Sequence, residues 1–175
     1  MNARRSEPCC PTARLAREAW ELRGYYALRQ RIFCDEQRLF ADTDRDDQDA
    51  YALPLVCVLP DASEIPRVVG VVRIYADAPG VWYGGRLGVA QPYRGVVALH
   101  RALVTGAVLS ACALGAQRFL ARVQAAKVPL LERMHFRTLE TTSLRGIPHR
   151  LMEADLARYA ASRLPSTREA HEGAP

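Results

Sequence analysis

Five aspartates crowd into one short stretch, Asp42, Asp44, Asp46, Asp47 and Asp49, a few residues after Glu36. Crowded carboxylates raise one another's pKa and attract cationic amines, so such a run suits a base that deprotonates an ammonium group. Glu36, Asp47 and Asp49 are the candidates for that base, because a helical stretch precedes them and a β-rich stretch follows. The alternative is a solvated acidic loop. A calcium loop is excluded: the aspartate spacing starts correctly at Asp42, Asp44 and Asp46, but Asp47 stands where glycine is needed and Leu53 where glutamate is needed. Arg73 stands alone in the apolar run V-V-G-V-V-R-I-Y. An unpaired charge there is costly, so Arg73 either pairs with an aspartate of the run or meets substrate. Phe33 and Arg122 are the further candidates for substrate contact.

A second stretch with chemical potential runs from Val81 to Leu114. The β-rich V-W-Y-G-G-R-L-G-V passes through Pro92-Tyr93-Arg94-Gly95 into a long helical pattern. A strand, a tight turn and a helix N-terminus form a ready anion site, where free backbone N–H groups and the helix dipole converge.

The 175 residues suit one domain with a real core, and 49% hydrophobic with 25% charged residues is an ordinary globular balance. No apolar run reaches the ~20 residues of a membrane-spanning helix, and residues 1–13 lack the apolar core of a secretory signal. The five cysteines are scattered, with no CxxC pair and no zinc spacing, so a reducing cytoplasm and no metal are expected. Cys34 has no basic neighbour that would activate it and reads as packing. The net charge of +5 is carried by arginine, with Lys127 the one lysine. That favours phosphate-bearing partners, but the arginines form no basic block and no nucleic-acid motif occurs.

These residues need elements to position them. Residues 1–12 read as a flexible leader, 13–163 as a single domain and 164–175 as a disordered tail. An edge strand is expected over Ala13–Glu18 and an amphipathic helix over Glu21–Cys34. Strands are expected over Leu53–Leu59 and Arg67–Ala76, with Pro60–Ser63 turning between them. The second of these should form a hairpin with the Val81 strand, whose Gly84-Gly85 pair is the expected bulge. The following helix should end before Gly115. A strand over Arg118–Gln124, a short helix over Val128–Met134 and two strands turning at Arg145-Gly146 complete the order.

L-G-V-A-Q-P-Y-R-G resembles the strand and loop before the main cofactor helix of the GNAT (Gcn5-related N-acetyltransferase) superfamily. F-L-A-R-V-Q and L-L-E-R-M-H-F resemble its second cofactor motif, and Y-x-L-R-x-x-I-F-x-x-E-Q with the aspartate run resembles a bacterial subgroup. G-I-P-H-R-L-M-E-A-D-L resembles a group of such enzymes linked to nitrogen-starvation gene clusters. The resemblance spans residues 13–155. It implies an α+β domain with a central mixed, mostly antiparallel sheet of six to seven strands and about four helices, splayed at the cofactor-binding strand pair. It implies an N-acetyltransferase that moves an acetyl or short acyl group from acyl-CoA, with acetyl-CoA the expected donor, to a small amine by direct attack in a ternary complex. Backbone groups of Leu87, Gly88 and Val89 would bind the pantetheine. Arg94 and the amides of Gly95, Val96, Val97, Ala98 and Leu99 would hold the pyrophosphate, and Gln124 would contact the cofactor.

Two departures stand out. Val97 and Leu99 occupy positions that are small in the family, and Leu131 falls where a proton-donating tyrosine is usual. His135 falls on the motif's glycine and reads as a surface residue at a helix end. Two other readings remain open: a signal synthase similar to acyl-homoserine-lactone synthases, and a non-catalytic CoA-sensing module. Neither nucleic acid nor membrane is an expected partner, and the oligomeric state, a homodimer included, is open.

Overall fold

The V-V-G-V-V-R-I-Y run becomes the longest strand because β-branched residues suit a pleated, doubly covered surface. In the computed structural model, which describes residues 11–60 and 65–161, this strand is β3, Pro66–Ala78. It sits inside a seven-stranded sheet with β1 (Ala13–Leu15), β2 (Leu53–Pro60), β4 (Val81–Val89), β5 (Arg118–Gln124), β6 (Phe136–Leu144) and β7 (Ile147–Ala154). The spatial order is β1-β2-β3-β4-β5-β7-β6, and only β4 and β5 run parallel. This mixed, mostly antiparallel sheet with four α-helices is the expected architecture. The tip residues 61–64 of the β2–β3 turn, the first ten residues and residues 162–175 lie outside the described residues.

Helices cover both faces. Helix α1, Ala19–Arg29, buries Tyr25 and Leu28 against Val56 and Val71. Helix α2, Val97–Ala113, lies on the other face and buries Leu99, Leu103 and Val108 completely beside Val72 and Ile74. Each such side chain contributes roughly 1.5–3 kcal/mol of burial. No side chain caps the start of α2, so its stability comes from that packing. Gly115, at φ +90°, ends α2 in the left-handed conformation expected of it. Helices α3 (Val128–Glu132) and α4 (Leu156–Ala161) are short, and α4 was not anticipated.

Three local departures shape the site. The first helix does not run straight to Cys34; it loosens into a π-helical turn, Gln30–Glu36, with the Gln37 amide on the Ile32 carbonyl at 3.0 Å. A shift in β2–β3 pairing at Cys57/Val58 turns Val69 into the α2-side core, away from the face Arg73 shares with Val71. The bulge in β4 is not at Gly84-Gly85, which pair regularly with Ile74 and Arg73. It falls on Arg86-Leu87, where Arg86 takes φ +54°. The extra residue turns Arg86 to the α1 face, while Leu87 packs towards α2.

Candidate functional site

Strand β4 leaves its parallel partner early. Val81 through Gly84 pair with Arg118 through Ala121, and no pairing joins the strands beyond that point. The second half of β4 faces an opening, and a cavity of about 520 Å³ occupies it. Gly84 lines this cavity, and a β-carbon there would lie 2.8 Å from the Phe119 ring. The cavity crosses the plane of the sheet. Phe33, Phe40, Arg73, Tyr75 and Tyr83 line it on the α1 side, and Val104, Ala107, Phe119, Val123, Leu131 and Phe136 on the α2 side.

On the α1 side the aspartate run folds inward onto three arginines from separate elements. Fully buried Arg29 donates from Nε to Asp44 at 2.7 Å and from Nη1 and Nη2 to Asp49 at 2.5 and 2.9 Å. Arg73 grips both oxygens of Asp46 and reaches Asp49 at 3.0 Å. Arg86, aimed here by the bulge, bonds Asp44 and Asp46 at 3.0 and 3.1 Å. Burial pushes the Asp49 carboxyl up, but the Arg29 hydrogen bonds and the Arg73 charge outweigh it and hold the group well below the usual carboxylate range. Asp46 is lowered in the same way by Arg73. Of the two roles open to Arg73, the carboxylate pair is the one observed.

The carboxylates expected as bases fall as follows. Asp49 is bound on both oxygens, Asp47 is exposed at the start of a tight turn (Asp47–Ala50), and Glu36 pairs with Arg94. None of the three lines the cavity. Phe33, Arg73, Leu87, Arg122 and Gln124 do line it, and the Gln124 amide reaches Gln37 at 3.4 Å. Gly88 packs so closely on Ile32 that a β-carbon would lie 2.7 Å from it, and Val89 is buried.

At the start of α2, Arg94 is tied by Nε to the Val89 carbonyl at 3.1 Å and by its terminal nitrogen to Glu36. The Val96 and Leu99 amides bond within the loop, whereas those of Gly95, Val97 and Ala98 make no hydrogen bond among the described residues. Leu99 points into the core and Val97 is 59% exposed, so neither side chain packs over those amides. Leu131 is buried, and His135 lies exposed at φ +62°.

Several cavity residues had no sequence signal. Tyr83 stacks on Tyr75 at 5.7 Å, and the Arg122 guanidinium lies 5.2 Å from the Tyr83 ring centre. His149, opposite Gln124 in the β5–β7 ladder, is 6% exposed, with Nδ1 2.8 Å from the Ile147 carbonyl. A carbonyl only accepts, so Nδ1 carries the proton and Nε2 the lone pair in the neutral ring. Among the described residues no group of His, Cys, Asp and Glu is placed to hold a metal, and no helix is long and apolar enough to cross a membrane.

The fold as a whole superposes on solved structures. A Lactobacillus plantarum protein described provisionally as an N-acetyltransferase superposes with a TM-score of 0.72 at 22% identity, covering 84% of this chain and 99% of that one. This is a GNAT fold. An acyl-CoA N-acyltransferase from Pseudomonas aeruginosa shares it with a TM-score of 0.62 at 20% identity, covering 82% of this chain and 97% of that one. So does BjaI, a CoA-dependent acyl-homoserine lactone synthase seen with isopentyl-CoA, with a TM-score of 0.68 at 17% identity over 87% of this chain and 86% of that one. No family model and no curated protein matches the sequence. The GNAT fold is therefore established by shape, at identities where sequence comparison is silent.

Proposed function

We propose that this protein transfers an acyl group from a CoA thioester to the nitrogen of a small amine, by direct attack in a ternary complex. The observation that carries this reading is the unpaired half of β4 lying beside the open amides of Gly95, Val97 and Ala98. An open strand edge takes the amide groups of pantetheine as a sheet takes another strand, and an uncapped helix start takes the pyrophosphate. Backbone groups of Leu87, Gly88 and Val89 supply the edge. Arg94 frames the phosphate site from its pair with Glu36. Gln124 and Lys127 flank the opening.

In the transfer step the neutral amine attacks the thioester carbonyl carbon. The C–N bond forms, the C–S bond breaks, and CoA leaves as the thiolate or, after protonation, as the thiol. A β4 amide stabilises the carbonyl oxygen as charge develops on it. Thiolate leaves readily, so buried Leu131 in place of a proton donor is compatible with turnover. The amine's proton needs an acceptor at the cavity. His149 lines the cavity, and its Nδ1–H bond to Ile147 leaves the Nε2 lone pair for that role. The Asp49 carboxylate, doubly held by arginine, is too weak a base to compete.

The donor extends beyond acetyl. The compartment among Val104, Ala107, Phe119, Val123, Leu131 and Phe136 is apolar and lies across the sheet from the charged network, which suits a hydrocarbon chain threaded past Gly84. This also supports the kinship in chemistry with the synthase of similar fold that is seen with isopentyl-CoA. Thiol release from acetyl-CoA and hexanoyl-CoA, followed with a panel of amines, tests the proposal. Amine-dependent release supports it, and His149→Gln should slow it about a hundredfold. CoA bound without release on any amine would instead indicate a binding module.

A further inference from the structure

We infer that the acceptor is an amine that also carries a carboxylate, an amino acid rather than a simple amine or polyamine. This rests on the acyltransferase reading of the same cavity. A protein that takes cationic amines normally offers them a free carboxylate. Here Asp46 is the one acidic residue among the described residues that line the cavity, and both its oxygens are held by Arg73, with Arg86 on one of them. Asp44 and Asp49 are spent on Arg29, Arg73 and Arg86. The three aspartates of the run that fold inward, Asp44, Asp46 and Asp49, are each paired with arginine, while Asp42 and Asp47 do not line the cavity.

The lining cations left over set the sign of the field. Arg45, Arg122, Lys127 and Arg145 line the cavity, and no ion pair holds any of them among the described residues. Lys127 belongs to the donor's side, in the short turn Ala125–Lys127 that follows Gln124 at the end of β5. Arg45 and Arg145 lie over the rings of Tyr26 and Phe40 at 3.8 and 4.5 Å. Arg122 belongs to the acceptor's side, on the face shared by Tyr75 and Tyr83, with its guanidinium near the Tyr83 ring. A guanidinium resting on an aromatic face keeps its N–H fork available, and that fork matches a carboxylate with two parallel bonds. A bare ammonium entering this field meets like charge, whereas an amino acid brings the compensating carboxylate with it. Arg122 is thus the anchor for that carboxylate, leaving the amine free to face the thioester.

The test is acyl transfer from hexanoyl-CoA to matched pairs: L-phenylalanine with phenethylamine, L-histidine with histamine and L-ornithine with putrescine, with phosphoethanolamine as a non-carboxylate anion. The amino acid of at least one pair should be used about tenfold to a hundredfold more efficiently than its decarboxylated partner, the range one charge-assisted pair commands. Arg122→Gln should raise KM for that amino acid by a similar factor and bring the ratio towards one, with Arg122→Lys retaining part of it. An unchanged melting temperature shows that the variant is folded. Equal or better use of the decarboxylated amines, or of phosphoethanolamine, overturns the inference while leaving acyl transfer intact. Turnover of none of them, with CoA unbound, overturns the acyltransferase reading and this inference together.

Discussion

Arg73 holds Asp46 end to end, Nη1 to Oδ1 at 2.5 Å and Nη2 to Oδ2 at 2.6 Å, across 27 residues of sequence. The pair fastens the aspartate loop to the middle of the sheet beside the β4 bulge, and Arg86 and Arg29 extend it into a network. Removing one partner of a buried pair leaves the other without compensation, at about 3–5 kcal/mol. That figure is an upper bound for Arg73→Ala in urea unfolding, because partly exposed Asp46 keeps Arg86 and Asp49 keeps Arg29. A cost of about 1–3 kcal/mol is expected. Asp46→Ala should cost less, since Arg73 keeps Asp49 at 3.0 Å. The double variant should be less damaged than the sum of the two, and strict additivity would show that the network is not coupled.

The same network sets an acid limit. Asp46 and Asp49 have pKa values depressed in the folded protein, so the stability they contribute is present above the unfolded value near 4 and is lost as pH falls through their folded values. Stability measured against pH should be flat in this contribution from neutrality down to about pH 4 and decline below it. Asp49→Asn should flatten that decline, at the cost of lower stability at neutral pH. A wild-type decline centred near pH 6 would point to histidine instead.

Gly84 lines the cavity on the strand that lies between its charged and apolar sides. A β-carbon there would lie 2.8 Å from Phe119, so Gly84→Ala forces the ring to move, at about 1–3 kcal/mol. The ring borders the cavity, and its displacement should lower use of hexanoyl-CoA more than of acetyl-CoA. The kcat/KM ratio between the two donors is the measurement, and Phe119→Leu in the same chain should restore part of it. An unchanged ratio would place the acyl chain elsewhere.

Much of this molecule was legible in its residues, for identifiable reasons. Strand β5 falls on Arg118–Gln124 as expected, because Phe119, Ala121 and Val123 alternate with Leu120, Arg122 and Gln124 over a run free of Gly and Pro. The Arg145-Gly146 turn was legible because both residues adopt positive φ, which a tight hairpin needs and glycine favours. The π-helical turn was not, since its i−5 hydrogen bonding follows from how Ile32 and Phe33 pack rather than from any local composition. The bulge was read one step early. Two glycines advertise a weak strand, but arginine took the left-handed position because Asp44 and Asp46 await its side chain. The aspartates were conspicuous, yet their meaning depended on Arg29 and Arg86, which lie in other elements. His149 carried no signal because its proposed role comes from lining a cavity that exists only where β4 and β5 part.

Calorimetric titration of the protein with hexanoyl-CoA, acetyl-CoA and free CoA tests the central claim most directly, because the splayed strands and open helix start must bind the donor before any chemistry. One site should bind all three, with hexanoyl-CoA tightest and its advantage over acetyl-CoA reflecting about 0.8 kcal/mol for each buried methylene. Arg94→Glu, which sets two carboxylates side by side with Glu36 at the phosphate site, should weaken all three alike. No binding of any of them at millimolar concentration would contradict the assignment of the cleft.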